Sequence, residues 1–337
     1  MRHLPKLVIC QTNNMSMDPS PFFDAIHSSA LLYFKLHCSR AAKLILTNQD
    51  ILMTKFLSCC ALCVYLVSAA PRDVAEILAL PESRIDLGKA CFILSQDAYP
   101  ELNIAEGLSR LDQIARSTQK IFESFPDSIS LAKRRINALS LELFTPGIWN
   151  QVDDTAHAIF TYDSLISQSE SQNALFLPYA LAQQKGTYTL LTTLWYVIAD
   201  RLKWPVSAIR LPYQQLLIRY ADKEHLNIDL SNLGASFADS AYAKFLNITP
   251  EALRNGIYMR PLKKKEFLAA MLCSSAFYAA EMLKDADLAI AYFKLAIKCD
   301  RRNAEALAGF GIVTKNPSLV KKARDLGLVA GQKKTAP

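Results

Sequence analysis

Glycine is scarce in this sequence, at 10 of 337 residues, while alanine and leucine are abundant. A turn-rich β-sandwich spends glycine on its many tight turns, so this shortage argues against one and favours helices. Charge is also modest. Charged residues make up 20% and hydrophobic residues 51%, a balance that excludes a disordered chain and suits a globular one with a large core. A dense basic stripe is missing too. The net charge of +7 is spread along the chain, and the longest basic run, Lys263-Lys264-Lys265, is followed at once by Glu266. Nucleic-acid binding draws on denser Lys and Arg with exposed aromatics between them. No nucleic-acid partner is expected, and the triple lysine reads as a solvated helix start.

Metal-ligand spacing is lacking as well. The eight cysteines are Cys10, Cys38, Cys59, Cys60, Cys63, Cys91, Cys273 and Cys299. Cys60 and Cys63 have CxxC spacing inside one apolar run, with no second half and no accompanying histidine, so zinc is not expected. The cysteines read as buried reduced thiols, and no cofactor is implied.

What is present begins with an apolar run. Met53-Thr54-Lys55 precedes an uncharged stretch from Phe56 to Ala70, which ends in small residues before Pro71-Arg72-Asp73. A basic start, a short apolar stretch and a small-residue exit match a signal peptide. The run is too short to span a bilayer comfortably. Three readings stand: an exported chain starting at Met53, a buried helix of an N-terminal domain, and a short membrane anchor. Localisation is accordingly cytoplasmic, exported or envelope-associated. Residues 1–52 form an upstream extension of no clear role.

Helical periodicity follows. Ile85, Leu87, Ala90, Cys91 and Leu94 mark one apolar face, and Tyr99-Pro100 is expected to end that helix. Ile104, Leu108, Leu111 and Ile114 repeat the spacing. Ile136, Leu139, Leu143 and Phe144 form a third helix, stopped by Pro146-Gly147. The stretch 149–171 is polar and irregular and reads as a connector. A short helix over 176–184 is broken by Lys185-Gly186. Leu190, Leu191, Leu194, Trp195, Val197, Ile198 and Leu202 then make a helix apolar on most sides, which belongs at the centre of a core.

After Pro205 the period changes. Residues 206–211 and 215–220 read as strands, with Leu216, Ile218 and Tyr220 on one face. A polar loop over 221–225, a third short strand over 226–229 and a turn at Ser231-Asn232-Leu233-Gly234 complete an antiparallel meander. From Glu266 the chain is helical again. Ala289, Phe293 and Ala296 sit where a tetratricopeptide repeat places small, aromatic and small residues, and Gly311 lies one repeat period after Phe277. One repeat and the first helix of a second are expected, too few to stand free of the preceding core.

A helix that starts just after Lys-Gly, followed by strands carrying a polar residue and a carboxylate, is the order of transglutaminase-like and papain-like enzymes. In those enzymes a cysteine at the helix start is activated by the helix dipole and by a histidine oriented by Asp or Asn. The chain resembles the bacterial SirB-type transglutaminase-core family with a tetratricopeptide tail. The resemblance rests on Ile85-Asp86-Leu87-Gly88-Lys89-Ala90, Asp97-Ala98-Tyr99-Pro100, residues 185–205, Leu211-Pro212-Tyr213-Gln214-Gln215-Leu216-Leu217-Ile218-Arg219 and Ile228-Asp229, and covers roughly residues 80–325. It implies a mainly helical α+β fold. Residues 53–70 would be the signal-like or buried apolar segment, 71–160 a helical unit, 161–260 a transglutaminase-like core and 261–330 tetratricopeptide-like helices.

By the same resemblance, the nucleophile position falls at Tyr188, the histidine position at Gln214 and the aspartate position at Asp229. Gln214 has no basic nitrogen at neutral pH. An enzyme is therefore less expected than a non-catalytic protein-binding or regulatory factor with another protein as partner. Plainer readings are packing for Tyr188, a hydrogen-bonding strand residue for Gln214 and a turn-capping role for Asp229. His157 and His225 fall in polar connecting segments. Two alternatives remain. One is an unorthodox peptide or amide hydrolase or transferase, using Thr187 or Thr189 with Asp229. The other is an envelope-associated structural protein held through Phe56 to Ala70.

Overall fold

A computed structural model describes residues 69–144, 160–162, 175–221, 227–230 and 236–329. Residues 1–68, with most of the signal-like segment and Met53, lie outside the described residues, as do His157, His225 and the turn at Ser231-Asn232.

Four helices open the described chain: α1 (Ala69–Ala79), α2 (Leu87–Leu94), α3 (Ile104–Ser124) and α4 (Leu131–Phe144). Short polar side chains start α2 and α3. Asp86 accepts the Lys89 backbone N–H and Asn103 accepts that of Glu106, each satisfying an amide that a helix start leaves unpaired. Helix α2 ends at Leu94 rather than at Tyr99-Pro100. The hydroxyl of Ser95 bonds back to the Cys91 carbonyl at 2.7 Å, and residues 95–98 form turns.

Helix α5 (Leu177–Gln183) stops at Gln184, which takes a left-handed conformation. Lys185-Gly186, expected as a simple break, forms a two-residue strand, β2, parallel to β1 (Thr161–Tyr162). Helix α6 (Tyr188–Arg201) follows, capped by the Thr187 hydroxyl, and every residue from Leu190 to Ala199 is buried. This matches its apolar pattern: a helix without a polar face has to be surrounded.

Strands β3 (Val206–Arg210), β4 (Leu216–Tyr220) and β5 (Asn227–Ile228) form the expected antiparallel meander. Ala208 pairs with Ile218, and Ile218 with Ile228. Leu216, Ile218 and Tyr220 join α6 in one large apolar cluster, while Ile209 and Leu217 point into a second. The free side of β3 is covered by the segment around Pro261, where the Leu262 N–H bonds the Ala208 carbonyl at 2.8 Å. Helices α7 (Asp239–Phe245) and α8 (Pro250–Asn255) line the second cluster.

The tail contains α9 (Lys264–Tyr278, continued by a π turn to Leu283), α10 (Ala286–Cys299), α11 (Ala304–Val313) and α12 (Pro317–Asp325). Pairing α9 with α10 and α11 with α12 gives two helical hairpins. The fourth helix was not expected from the sequence. Asn316 caps it and Pro317 begins it, a combination that starts helices well. Residues of α9 and α10 enter the large cluster, and residues of α11 and α12 enter the second. The tail thus packs on the core. Lys264–Leu283 is long and apolar enough to cross a membrane by composition. Phe267, Leu268 and Leu272 are nevertheless buried in the large cluster, and Lys264 is paired with Asp200 at 2.7 Å, so packing accounts for its apolarity.

Candidate functional site

The turn between β3 and β4 carries Gln214, the residue that the sequence resemblance set at the histidine position. The Leu211 N–H bonds the Gln215 carbonyl at 2.9 Å and closes a tight reversal. Inside it, Tyr213 and Gln214 both have positive φ, 63° and 58°. Three polar groups of Gln214 are engaged by the surrounding helices. Its N–H donates to Glu305 Oε1 on α11 at 3.0 Å. Its carbonyl accepts the Thr189 hydroxyl from the first turn of α6 at 3.4 Å. Its side-chain Oε1 accepts the Ser274 hydroxyl from α9 at 3.2 Å.

Tyr188 is the first residue of α6 and is half-buried. Its neighbour Thr187 spends its hydroxyl oxygen on the Leu190 N–H at 3.3 Å. Asp229 is 5% exposed, just past β5, and accepts the Tyr242 hydroxyl of α7 at 3.3 Å. Burial, with the Asp229 carboxylate beside it, pushes the Tyr242 phenol up, so Tyr242 is the donor. The bonds at Gln214 lead to α6, α9 and α11, while this bond at Asp229 leads to α7. The three positions named from the sequence are thus on neighbouring elements, but these hydrogen bonds do not link them into a relay. The Thr187 and Thr189 hydroxyls meet backbone groups rather than a base.

Two cysteines lie near this region. Cys91 lines a small recess with Thr193, Met271, Ser274 and Ser275. Burial pushes its thiol up to about 12, with Asp86 adding to the rise and Arg201 opposing it. Cys273 is buried on α9, and burial, then the Glu305 carboxylate, raises it well above the ordinary thiol value. Thiols so placed stay protonated at neutral pH and are poor nucleophiles. Cys91 and Cys273 therefore match the expected buried reduced thiols, and both are unpaired. Among the described residues no group of three or more His, Cys, Asp or Glu side chains is arranged to hold a metal ion.

The motifs behind the family resemblance have visible work in the fold. Asp86 caps α2 and accepts Arg201 of α6 at 2.9 Å, and Arg201 also reaches Asp112 at 3.0 Å. Burial works against the Asp86 charge, yet the Lys89 N–H and Arg201 hold its carboxyl below the usual range. Gly88 leaves room for this pair, since a Cβ there would come within 3.1 Å of the Arg201 guanidinium. Asp97 accepts the hydroxyl of Tyr292 on α10. Glu305 and Ser274 were missed in the sequence. Glu305 sits in the first turn of a helix capped by Asn303, where an acid is already favoured by the helix dipole; that local role conceals the distant one.

Residues 159–273 match a family model described as the transglutaminase-like superfamily. No curated protein matches the chain. The matched segment runs from β1 through the meander and into α9, so it holds Tyr188, Gln214 and Asp229 together with Ser274's neighbour Cys273. This chain carries a transglutaminase-like domain within a mostly helical α+β fold.

Proposed function

We propose that this protein is a non-catalytic member of the transglutaminase-like superfamily that binds and regulates another protein. The observation that carries this reading is Gln214. Where an active relative keeps an imidazole, this chain has an amide that cannot take a proton at neutral pH; its Oε1 accepts the Ser274 hydroxyl, while the Gln214 backbone is held by Glu305 and Thr189. Protonated, buried Cys91 and Cys273 offer no substitute nucleophile.

Within the superfamily we assign it to the SirB-type branch with a tetratricopeptide-like tail. Ala289, Phe293 and Ala296 are wholly buried on α10, which supports the repeat-like reading of the tail. Stacked helical hairpins offer extended surfaces suited to a protein partner.

The test uses the full chain. Peptide amidase, protease and transamidase assays are expected to read at the level of a heat-denatured control. A turnover that vanishes in Asp229→Ala while the variant stays folded would overturn the proposal. A purified partner should bind the full chain with saturable stoichiometry and a negative heat-capacity change from buried apolar surface.

A further inference from the structure

Two successive residues with side chains, Tyr213 and Gln214, hold left-handed backbone conformations. Such geometry is rare outside glycine and persists where the surroundings impose it. Successive backbone N–H groups turned to one side make a concavity that suits an anion. This one is filled. The Gln214 N–H donates to Glu305 Oε1 at 3.0 Å, and the neighbouring Tyr213 backbone N–H adds to what favours the charge of the same carboxylate. Glu305 comes from α11, 91 residues along the chain. Among the described residues Glu305 forms no salt bridge; the nearby Arg210 is paired with Asp300 instead. The Gln214 amide is thus the principal hydrogen-bonding partner of a carboxylate that burial disfavours.

We propose that the Tyr213–Gln214 turn is a carboxylate-binding site filled in cis by Glu305, a clasp by which the tail closes over the transglutaminase-like core. The ligand class is a single carboxylate, because the donors are backbone amides and no cation is committed to them. The clasp also fixes the Gln214 carbonyl against Thr189 and its side chain against Ser274. Opening it would release three helices from one residue, while the Arg210–Asp300 pair kept the tail attached. A carboxylate from another chain that displaced Glu305 would therefore loosen the turn without unfolding the protein. This inference goes beyond the binding reading and does not rest on it, since an enzyme would be held by the same clasp.

Amide hydrogen exchange of the full chain tests it. In Glu305→Ala, exchange at the Tyr213 and Gln214 amides is expected to rise about 10- to 100-fold, the loss of a bond to a charged acceptor. Amides of β4 should be unchanged. Sodium acetate should restore the slow exchange saturably, and sodium chloride at equal ionic strength should not. Unchanged exchange in a folded Glu305→Ala, or no response to acetate, overturns the proposal. If the alanine variant does not fold, Glu305→Gln gives the same readout: exchange about ten-fold faster supports the carboxylate requirement, and wild-type exchange overturns it.

Discussion

Arg210 on β3 and Asp300 at the end of α10 form an ion pair at 2.7 Å with each side chain only 2% exposed. Arg260 joins it, reaching Asp300 at 3.2 Å and Glu266 at 2.7 Å. The network joins the central sheet to the tail, so the two should unfold together. Breaking a buried pair from one side strands the other charge and costs about 3–5 kcal/mol. Asp300→Ala is expected to lose about that much in urea unfolding. The fluorescence of buried Trp195 and Trp204 should change in step with helical circular dichroism, in the wild type and in the variant alike. A tail transition well before the tryptophan transition would contradict this coupling.

Much of this fold was legible because it is written locally. The apolar periods placed α2, α3, α4 and α6, and the change of period after Pro205 placed the meander. The site was only half legible. Tyr188, Gln214 and Asp229 were expected from family order alone, and several of the contacts that hold the region join residues far apart in the chain. Glu305 is 91 residues from Gln214, Asp300 is 90 from Arg210 and Tyr292 is 195 from Asp97. No periodicity reports a single hydrogen bond across such distances. Asp86 and Asp97 were noticed as motif residues, and what they hold is clear only from Arg201 and Tyr292.

Glu142 on α4 is 3% exposed and accepts the Ser117 hydroxyl of α3 at 2.8 Å. Burial pushes its carboxyl from 4.5 up to about 7, with Ser117 and Arg110 opposing the rise. The folded state therefore holds this proton where the unfolded chain has lost it. Stability from this group is full below about pH 4.5, falls as pH rises through about 7 and is flat beyond. Glu142→Gln, which can still accept from Ser117, should remove that slope and stabilise the protein at pH 8 by up to about 3 kcal/mol. Urea midpoints at pH 5 and pH 8 decide it. An equal slope in both proteins would show that Glu142 is ionised in the fold.

The thiols offer a direct check on the recess. Cys91 and Cys273 are buried with raised pKa values. Iodoacetamide at pH 7.5 should leave both unlabelled in the native chain and label both in urea, as peptide mass mapping would show. Cys299, less buried, should react sooner. Rapid native labelling of Cys91 would mean that a thiolate reaches the recess it lines with Thr193 and Ser274, and would reopen the case for an enzyme.

Gly309 sets the closeness of the two tail hairpins. It lies on α11, where a Cβ would come 2.4 Å from Cζ of Phe293 on α10. Phe293 is fully buried and stacks edge-to-face on Phe277 of α9, with ring centroids 5.2 Å apart. The sequence pointed to Gly311 in this helix, yet the ring contact falls on Gly309. Gly311 instead faces the Asn316 carbonyl, 2.9 Å from where its Cβ would be. In an open helix, replacing glycine with alanine gains about 0.5–1 kcal/mol from backbone entropy. Here the ring has packed neighbours and little room to retreat, so overpacking should prevail at about 1–3 kcal/mol. Gly309→Ala is expected to be less stable than the wild type in urea. The pair Gly309→Ala with Phe293→Leu should recover part of the loss, because the shorter side chain withdraws the atoms that clash. If the double variant were no more stable than the sum of its two single changes, the Gly309–Phe293 contact would not be what limits the approach of α11 to α10.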